Sequence, residues 1–282
     1  MTIMADELKS VSANLLYFVP PSDGSKPRSY KFSPPPGIPE TNFQSVRHLV
    51  RIKDLRGRED SVTLDAAGFQ FIQHTSKHTS FMDDLEIEKE YYPESIELIK
   101  KITGAGKVVL FDHTIRRRRD DNTDLDPKKR GPGSRVHVDQ TPFSAANRVR
   151  RHLPADEAEE RLKHRFQIIN LWRPISHPAY DWPLALCDFR SINYNEDLVP
   201  ADLVYREMVG ETFGVKFNAK HEWKYVKGLT PSEAILIKCF DSLENGEVAV
   251  LTPHSAFEDP STPENAPPRE SIEVRALVFY DD

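Results

Sequence analysis

Arg135-Val-His-Val-Asp-Gln-Thr141 is the stretch on which the reading of this chain turns. Side chains on a β-strand repeat every two residues, so His137 and Asp139 project from one face. An imidazole and a carboxylate side by side suit two adjacent positions on one metal. A further His would complete the two-His-one-carboxylate arrangement that leaves open positions on Fe(II). Alone the motif is weak. With 10 His and 22 Asp in 282 residues, chance supplies roughly one His-x-Asp match. His137 and Asp139 taken alone read as a hydrogen-bonded strand histidine and a turn former, and the surrounding sequence must carry the metal reading.

Working outward, composition sets the class. A 282-residue chain with 29% charged and 38% hydrophobic residues suits a soluble globular fold with a sizeable core. We expect a single domain over residues 1–282, with an N-terminal extension and helices at 1–104 and a β-rich core at 105–282. The net charge of −6 argues against general nucleic-acid binding. The basic runs Arg116 to Arg119 and Lys128 to Arg130 are interleaved with acids, as in a solvated loop. Two cysteines, Cys187 and Cys239, are too few for a disulfide framework or a zinc ribbon. No stretch is apolar and long enough to span a membrane, and no secretory signal is visible, so a reduced cytoplasmic protein is expected.

Residues 80–103 carry apolar side chains at near-helical spacing, with Gly104 as a cap and Pro93 expected to break the segment in two. Lys107 to Ile115 reads as a strand that ends in four arginines. Residues 120–134 hold acids, Lys, Gly and Pro and form a loop running straight into the His137 strand, a place where lids are found. Residues 144–163 read as helical and charged. Short strand-like runs then follow at 164–172, 184–189, 203–209, 215–218, 223–226, 234–240, 248–252 and 271–280. The last alternates Ile272, Val274, Ala276 and Val278 against Ser271, Glu273, Arg275 and Leu277. Many short strands after a helical stretch predict a mainly β, α+β fold: a sandwich or barrel backed by N-terminal helices.

His254 follows a strand 115 positions after Asp139 and is the best third ligand. Further on, Arg269 and Ser271 share a strand face. A guanidinium fork bonds a carboxylate bidentately and a serine hydroxyl adds a donor. The order His-x-Asp, His, Arg-x-Ser is what an oxygenase needs when it binds iron and anchors a 2-oxo acid by its distal carboxylate.

Five phrases stand in order: Phe111-Asp-His-Thr-Ile-Arg-Arg-Arg118, Arg135-Val-His-Val-Asp-Gln-Thr141, Asn170-Leu-Trp-Arg-Pro174, Pro183-Leu-Ala-Leu-Cys-Asp188 and Pro268-Arg-Glu-Ser-Ile-Glu-Val-Arg275. Together they resemble the fungal AsaB-type hydroxylase/desaturase family, which includes gibberellin-desaturase-like and cephem-methoxylase-like proteins. The resemblance runs from about residue 13 to the C-terminus. It implies a double-stranded β-helix (jelly-roll) core and Fe(II)/2-oxoglutarate-dependent oxidation of a C–H bond by O2, mainly in secondary metabolism. It implies His137, Asp139 and His254 as iron ligands and Arg269 as the 2-oxoglutarate anchor. Arg275, of the same parity, is the reserve anchor.

Other residues are weighed against plainer roles. Asn170 shares a face with Trp172 and is in reach of the cosubstrate. Trp172 is more often core than a substrate platform. Arg116 offers a guanidinium to an anionic small-molecule substrate, and Gln140 a place on the pocket rim. Arg173 is either a substrate contact or half of a structural ion pair. His74 and His78 read as surface residues. The rival readings are a metal dioxygenase that uses no 2-oxo acid and a non-catalytic jelly-roll binding protein.

Overall fold

The computed structural model describes residues 10–121, 123, 126, 130–243 and 245–281. Two curled sheets face each other as a jelly-roll. The larger has nine strands, edge to edge β1 (Ser10–Val19), β3 (Gln44–Asp54), β11 (Trp223–Tyr225), β8 (Leu184–Cys187), β13 (His254–Ala256), β6 (His137–Val138), β10 (Val209–Val215), β9 (Leu198–Val204) and β2 (Arg28–Tyr30). The smaller has five: β4 (Phe69–Gln73), β12 (Glu233–Asp241), β7 (Phe166–Pro174), β14 (Glu270–Phe279) and β5 (Lys107–Arg117). Helix α1 (Tyr92–Thr103) packs on the smaller sheet, while α2 (Pro142–His152) and α3 (Ala155–Arg161) follow β6.

The N-terminal segment is more deeply woven in than the sequence implied. Four strands precede residue 74, and all of them pair with strands from later in the chain or with each other: β1 with β3, β3 with β11, β2 with β9 and β4 with β12. Strand β3 was hidden by composition, since Arg47, His48, Arg51 and Lys53 place charge along it and most of its side chains stay exposed or half-exposed. Residues 248–252 form no strand. They are tied in singly, by Ala249 N–H to the Asp65 carbonyl and Thr252 Oγ1–H to the Gly68 carbonyl.

Pro93 does not split the helical segment. The side chain of Asp83 caps its start by accepting from the N–H groups of Leu85 and Glu86. A π-turn at Ile87–Tyr91 then carries the Tyr92 N–H back to the Ile87 carbonyl, and Pro93 falls in the first turn of α1, where its missing N–H costs nothing. Gly104, at φ 72°, ends the helix by donating to the Lys100 carbonyl.

The smaller sheet is buried on both faces, which explains why β7 and β12 contain no exposed residue. Ile169, Leu171, Ile272, Val274, Ala276 and Val278 face α1 and the π-turn. Ile168, Trp172, Ile235, Ile237, Leu277 and Phe279 face the interior of the roll, where Leu184 and Leu186 of β8 meet them. Along the inner face of β14, apolar Phe279 and Leu277 give way to Arg275, Glu273, Ser271 and, just beyond the strand, Arg269. The interior is therefore dry at one end and polar at the other.

Lys238, fully buried on β12, shows what a buried charge costs here. Its ammonium bonds Asp241 at 2.9 Å and Asp65 at 2.7 Å. Removing one partner of a buried pair costs about 3–5 kcal/mol. Asp241→Ala is expected to lose that much stability in urea unfolding. Lys238→Met leaves Asp241 with Arg165 and Gln167 and should lose less than half as much.

Candidate active site

His137 and His254 lie directly opposite each other on antiparallel β6 and β13. Their rings are 4.4 Å apart between centroids. Asp139 comes two residues after His137, where the chain leaves β6. Its Oδ1 lies 3.2 Å from His137 Nε2 and 3.9 Å from His254 Nε2. One ligand atom from each residue lies within 4.8 Å of the others, and among the described residues this is the group suited to a metal ion.

Backbone carbonyls fix the ring nitrogens. His137 Nδ1–H donates to the Arg135 carbonyl at 2.7 Å, and His254 Nδ1–H to the Thr252 carbonyl at 3.0 Å. Both Nε2 lone pairs then converge with Asp139 Oδ1. A proton on one Nε2 answers part of that need; a metal cation satisfies all three atoms at once. Burial and the neighbouring His137 charge lower the His254 pKa, which keeps the imidazole neutral as a ligand must be. Burial alone would raise the Asp139 pKa, but His137, Arg275 and His254 outweigh it and hold the carboxylate ionised.

Gly68 supports this strand end from the core side. At φ +90° it approaches so closely that a Cβ would sit 2.4 Å from Thr252 Oγ1. Its carbonyl accepts from Thr252 Oγ1–H and from Lys238 N–H, joining the His254 segment to β12.

Asn170 spends its amide nitrogen on Asp139 Oδ2 at 2.7 Å, so its amide aims a carboxylate; its Oδ1 is buried without a partner among the described residues. Arg275 lies 3.5 Å from the same Oδ2 and donates to Asp112 at 3.0 Å, Thr114 Oγ1 at 3.0 Å and Glu273 at 2.6 Å. Its donors are spent on the protein.

Arg269 stands in contrast. It is buried, and its Nη1 donates to the Trp182 carbonyl at 2.6 Å. Among the described residues, its Nε and the Ser271 hydroxyl are both buried without a partner. Burial and the nearby Arg116 push the Arg269 pKa down to about 9. Its guanidinium lies over the Trp172 ring at 5.6 Å, so Trp172 forms a wall behind Arg269. Trp182 holds the left-handed φ of 46°, which costs a non-glycine residue on the order of 1–3 kcal/mol. That backbone turn delivers its carbonyl to Arg269. Beside it, Asp181 accepts from Arg269 N–H and from Arg118 Nε. The sequence carried no sign of this support, because a positive φ at tryptophan has no residue signature.

Arg116 shares the inner face with Ser271, its cross-strand partner, and donates to the Gly131 carbonyl at 2.8 Å. It belongs to the Arg269 side of the site. Of the loop expected as a lid, residues 122, 124, 125 and 127–129 lie outside the described residues. Its end is tied in by the bond from Ala256 N–H to the Gly133 carbonyl.

Arg173 is a correction. It lies on the opposite face of β7 from Asn170 and Trp172, packs over Tyr91 at 5.5 Å, and donates to the His74 carbonyl and ring. It is structural. His78, expected at the surface, is buried against Phe81.

Gln140 is buried, accepts from Ser144 Oγ–H, and lines a cavity of about 400 Å³ that reaches Asp139. The walls of this cavity are α2 and the β9–β10 hairpin, neither of which the sequence reading assigned to the site. The signal was present in the spacing of Ser144, Asn147, Arg148 and Arg151, which puts these four on one face of α2, with Gln140 just ahead of its cap.

A jelly-roll with two imidazoles and one carboxylate converging from facing strands has the donor set of the two-His-one-carboxylate metal class. The comparisons agree. A family model for an oxidoreductase/YMDC permease-like domain matches residues 15–279. The chain is 37% identical over 252 residues to the hydroxylase/desaturase CTB9 of Cercospora beticola, covering 83% of this chain and 76% of that one. It is 34% identical over 274 residues to the Fe(II)/2-oxoglutarate-dependent dioxygenase nvfI of Aspergillus novofumigatus, covering 94% and 95%. A solved structure of the iron and alpha-ketoglutarate-dependent endoperoxidase NvfI matches with a TM-score of 0.85 at 31% identity, covering 98% of this chain and 100% of that one. The chain belongs to this fungal hydroxylase/desaturase and 2-oxoglutarate-dependent dioxygenase family.

Loss of a group that orients a metal ligand typically costs 10–100-fold in affinity. Asn170→Ala is expected to weaken anaerobic Fe(II) binding by about that factor, and His254→Ala by more, with unchanged circular dichroism. Wild-type affinity in His254→Ala would remove it from the ligand set.

Proposed function

We propose that the chain is an Fe(II)/2-oxoglutarate-dependent oxygenase that oxidises a C–H bond of a small secondary metabolite in the cytoplasm, with the whole chain acting as one domain. His137, Asp139 and His254 hold the iron. Arg269 and Ser271 take the distal carboxylate of 2-oxoglutarate, with Arg116 adding positive charge beside them. Asn170 and Arg275 aim and neutralise Asp139. The substrate is a small molecule, which the arginine-rich end of β5 suggests is anionic.

One observation carries the reading. Among the described residues, Arg269 and Ser271 present unbonded donors in a buried, positively charged place, at the start of the strand that follows the third candidate ligand in the chain. A buried guanidinium without an acid partner is unfavourable, and a cosubstrate carboxylate supplies what is missing. A metal dioxygenase without a 2-oxo acid has no use for this socket.

When bound, iron and 2-oxoglutarate supply the oxidant: the cosubstrate and O2 give succinate and CO2, and the remaining oxidising power reaches the substrate. The protein supplies placement. The β6–β13 pair fixes where the ligands stand. The Trp172 wall and the Trp182 carbonyl orient Arg269, and the apolar inner face below keeps water out. Hydroxylation, desaturation and ring closure all start from such a site. The endoperoxidase relative adds peroxide formation to the outcomes this fold supports.

Anaerobic addition of Fe(II) and 2-oxoglutarate should give a weak visible charge-transfer band. Arg269→Ala loses a bidentate charge-assisted partner, worth about 2–5 kcal/mol, or roughly 30- to several-thousand-fold in 2-oxoglutarate affinity. Fe(II) binding should change far less. No band in the wild type would refute the reading, and a 2-oxoglutarate loss confined to Arg275→Ala would exchange the roles of the two arginines.

A further inference from the structure

Resting on that reading, we infer that the substrate is lipophilic and carries a carboxylate, and that Arg148 binds this carboxylate. The cavity that reaches Asp139 is walled on one side by α2 and on the other by Leu203, Tyr205, Met208 and Val209 of the β9–β10 hairpin. Its size suits a small organic ligand. Phe143 and Val209, 61% and 53% exposed, form an apolar rim of a kind that is costly to leave in water.

Three of the five charged side chains that line this cavity are spent. Glu211 accepts from Thr141 Oγ1–H at 2.5 Å and from Lys26 at 2.9 Å. Arg150 bonds Glu159 at 2.7 Å. Asp139 is held by Asn170 and the two histidines. Arg148 differs. Its guanidinium makes no hydrogen bond to a described residue, and burial lowers its pKa. The acid closest to it in charge, Asp112, is already bonded by Arg275.

Arg148 is nonetheless held in place. It lies over the Phe111 ring at 5.3 Å, and Phe111 stacks on His152 at 5.1 Å with 23° between planes. A guanidinium on an aromatic face keeps its N–H groups directed outward in its own plane, in the fork that fits a carboxylate. Arg151, one turn on, adds positive charge at the exposed end of the same face. The cavity thus combines an apolar wall and rim with a cation, Arg148, that is held on an aromatic ring and has charge to spare, backed by Arg151 at the exposed end.

Decanoate and decan-1-ol serve as probes, since they share a chain and differ in the anionic head. Their binding is measured by calorimetry on the full chain without metal or 2-oxoglutarate, in wild type, Arg148→Ala, Arg148→Lys and Arg269→Ala. A charge-assisted bond predicts that wild type prefers decanoate by about 10-fold or more. Arg148→Ala should abolish the preference while decan-1-ol binds as before, Arg148→Lys should keep part of it, and Arg269→Ala should keep all of it. No preference in the wild type, or a preference that survives Arg148→Ala, overturns the inference. So does a preference lost only in Arg269→Ala, because the carboxylate would then sit in the cosubstrate socket. These measurements contain no iron or cosubstrate, so their failure is separate from failure of the charge-transfer titration.

Discussion

Asp139 is a polar point at which side chains of the two sheets of the roll meet. From the larger sheet, His137 and His254 reach its Oδ1; from the smaller, Asn170, Arg275 and Cys239 reach its Oδ2. A carboxylate at this depth is costly unless its lone pairs and charge are answered. Here they are answered by side chains from five strands, so the strands must hold their relative positions for the ion to be tolerated. Folding and site assembly thereby share one requirement. The β6–β13 register that sets the two imidazoles opposite each other is also the register in which Asp139 meets its partners on β7 and β14.

Two bulges bring the smaller sheet to this point. Between β12 and β7 the register shifts at Cys239, so Cys239 and Phe240 both turn into the interior, and the sulfur comes 3.9 Å from Asp139. Between β14 and β5 the extra residue is Phe111, so Phe111 and Asp112 both turn inward. Asp112 meets Arg275, and Phe111 lies under Arg148. Regular strands would have sent one of each pair to the opposite face. Bulges cost ladder hydrogen bonds, and near a site they serve to re-aim side chains.

The parts of the site written as two-residue parity were legible in the sequence: His137 with Asp139, Arg269 with Ser271, Asn170 with Trp172. That same parity put Arg173 on the other face of β7. Hydrophobicity could not say so, because β7 is buried on both sides and its apolar residues mark neither face as the interior. Pro93 read as a break because a π-turn has no composition of its own. Strand β3 was lost in its charged residues. Arg148 sat unrecognised in a helix with a basic end, which ordinarily reflects the helix dipole. Its distinction is that its neighbours are already spent, a fact about tertiary contacts that no local pattern records.

Arg275 of β14 and Arg269 just before it show how one face separates structure from binding. Arg269 and Arg275 have the same parity, and both are buried. Arg275 sits among Asp112, Glu273 and Asp139, and these acids hold its pKa well above the usual value even against burial. Its charge is consumed in stabilising the carboxylate that the metal reading needs. Arg269 has Arg116 beside it, and its nearest acid, Asp181, is shared between its backbone N–H and Arg118, so burial dominates and its pKa falls. The first arginine cannot release its partners without unbalancing Asp139. The second has no acid left to pair its guanidinium among the described residues. What separates the two arginines as places for a carboxylate is therefore the acids already around each, not the arginines themselves.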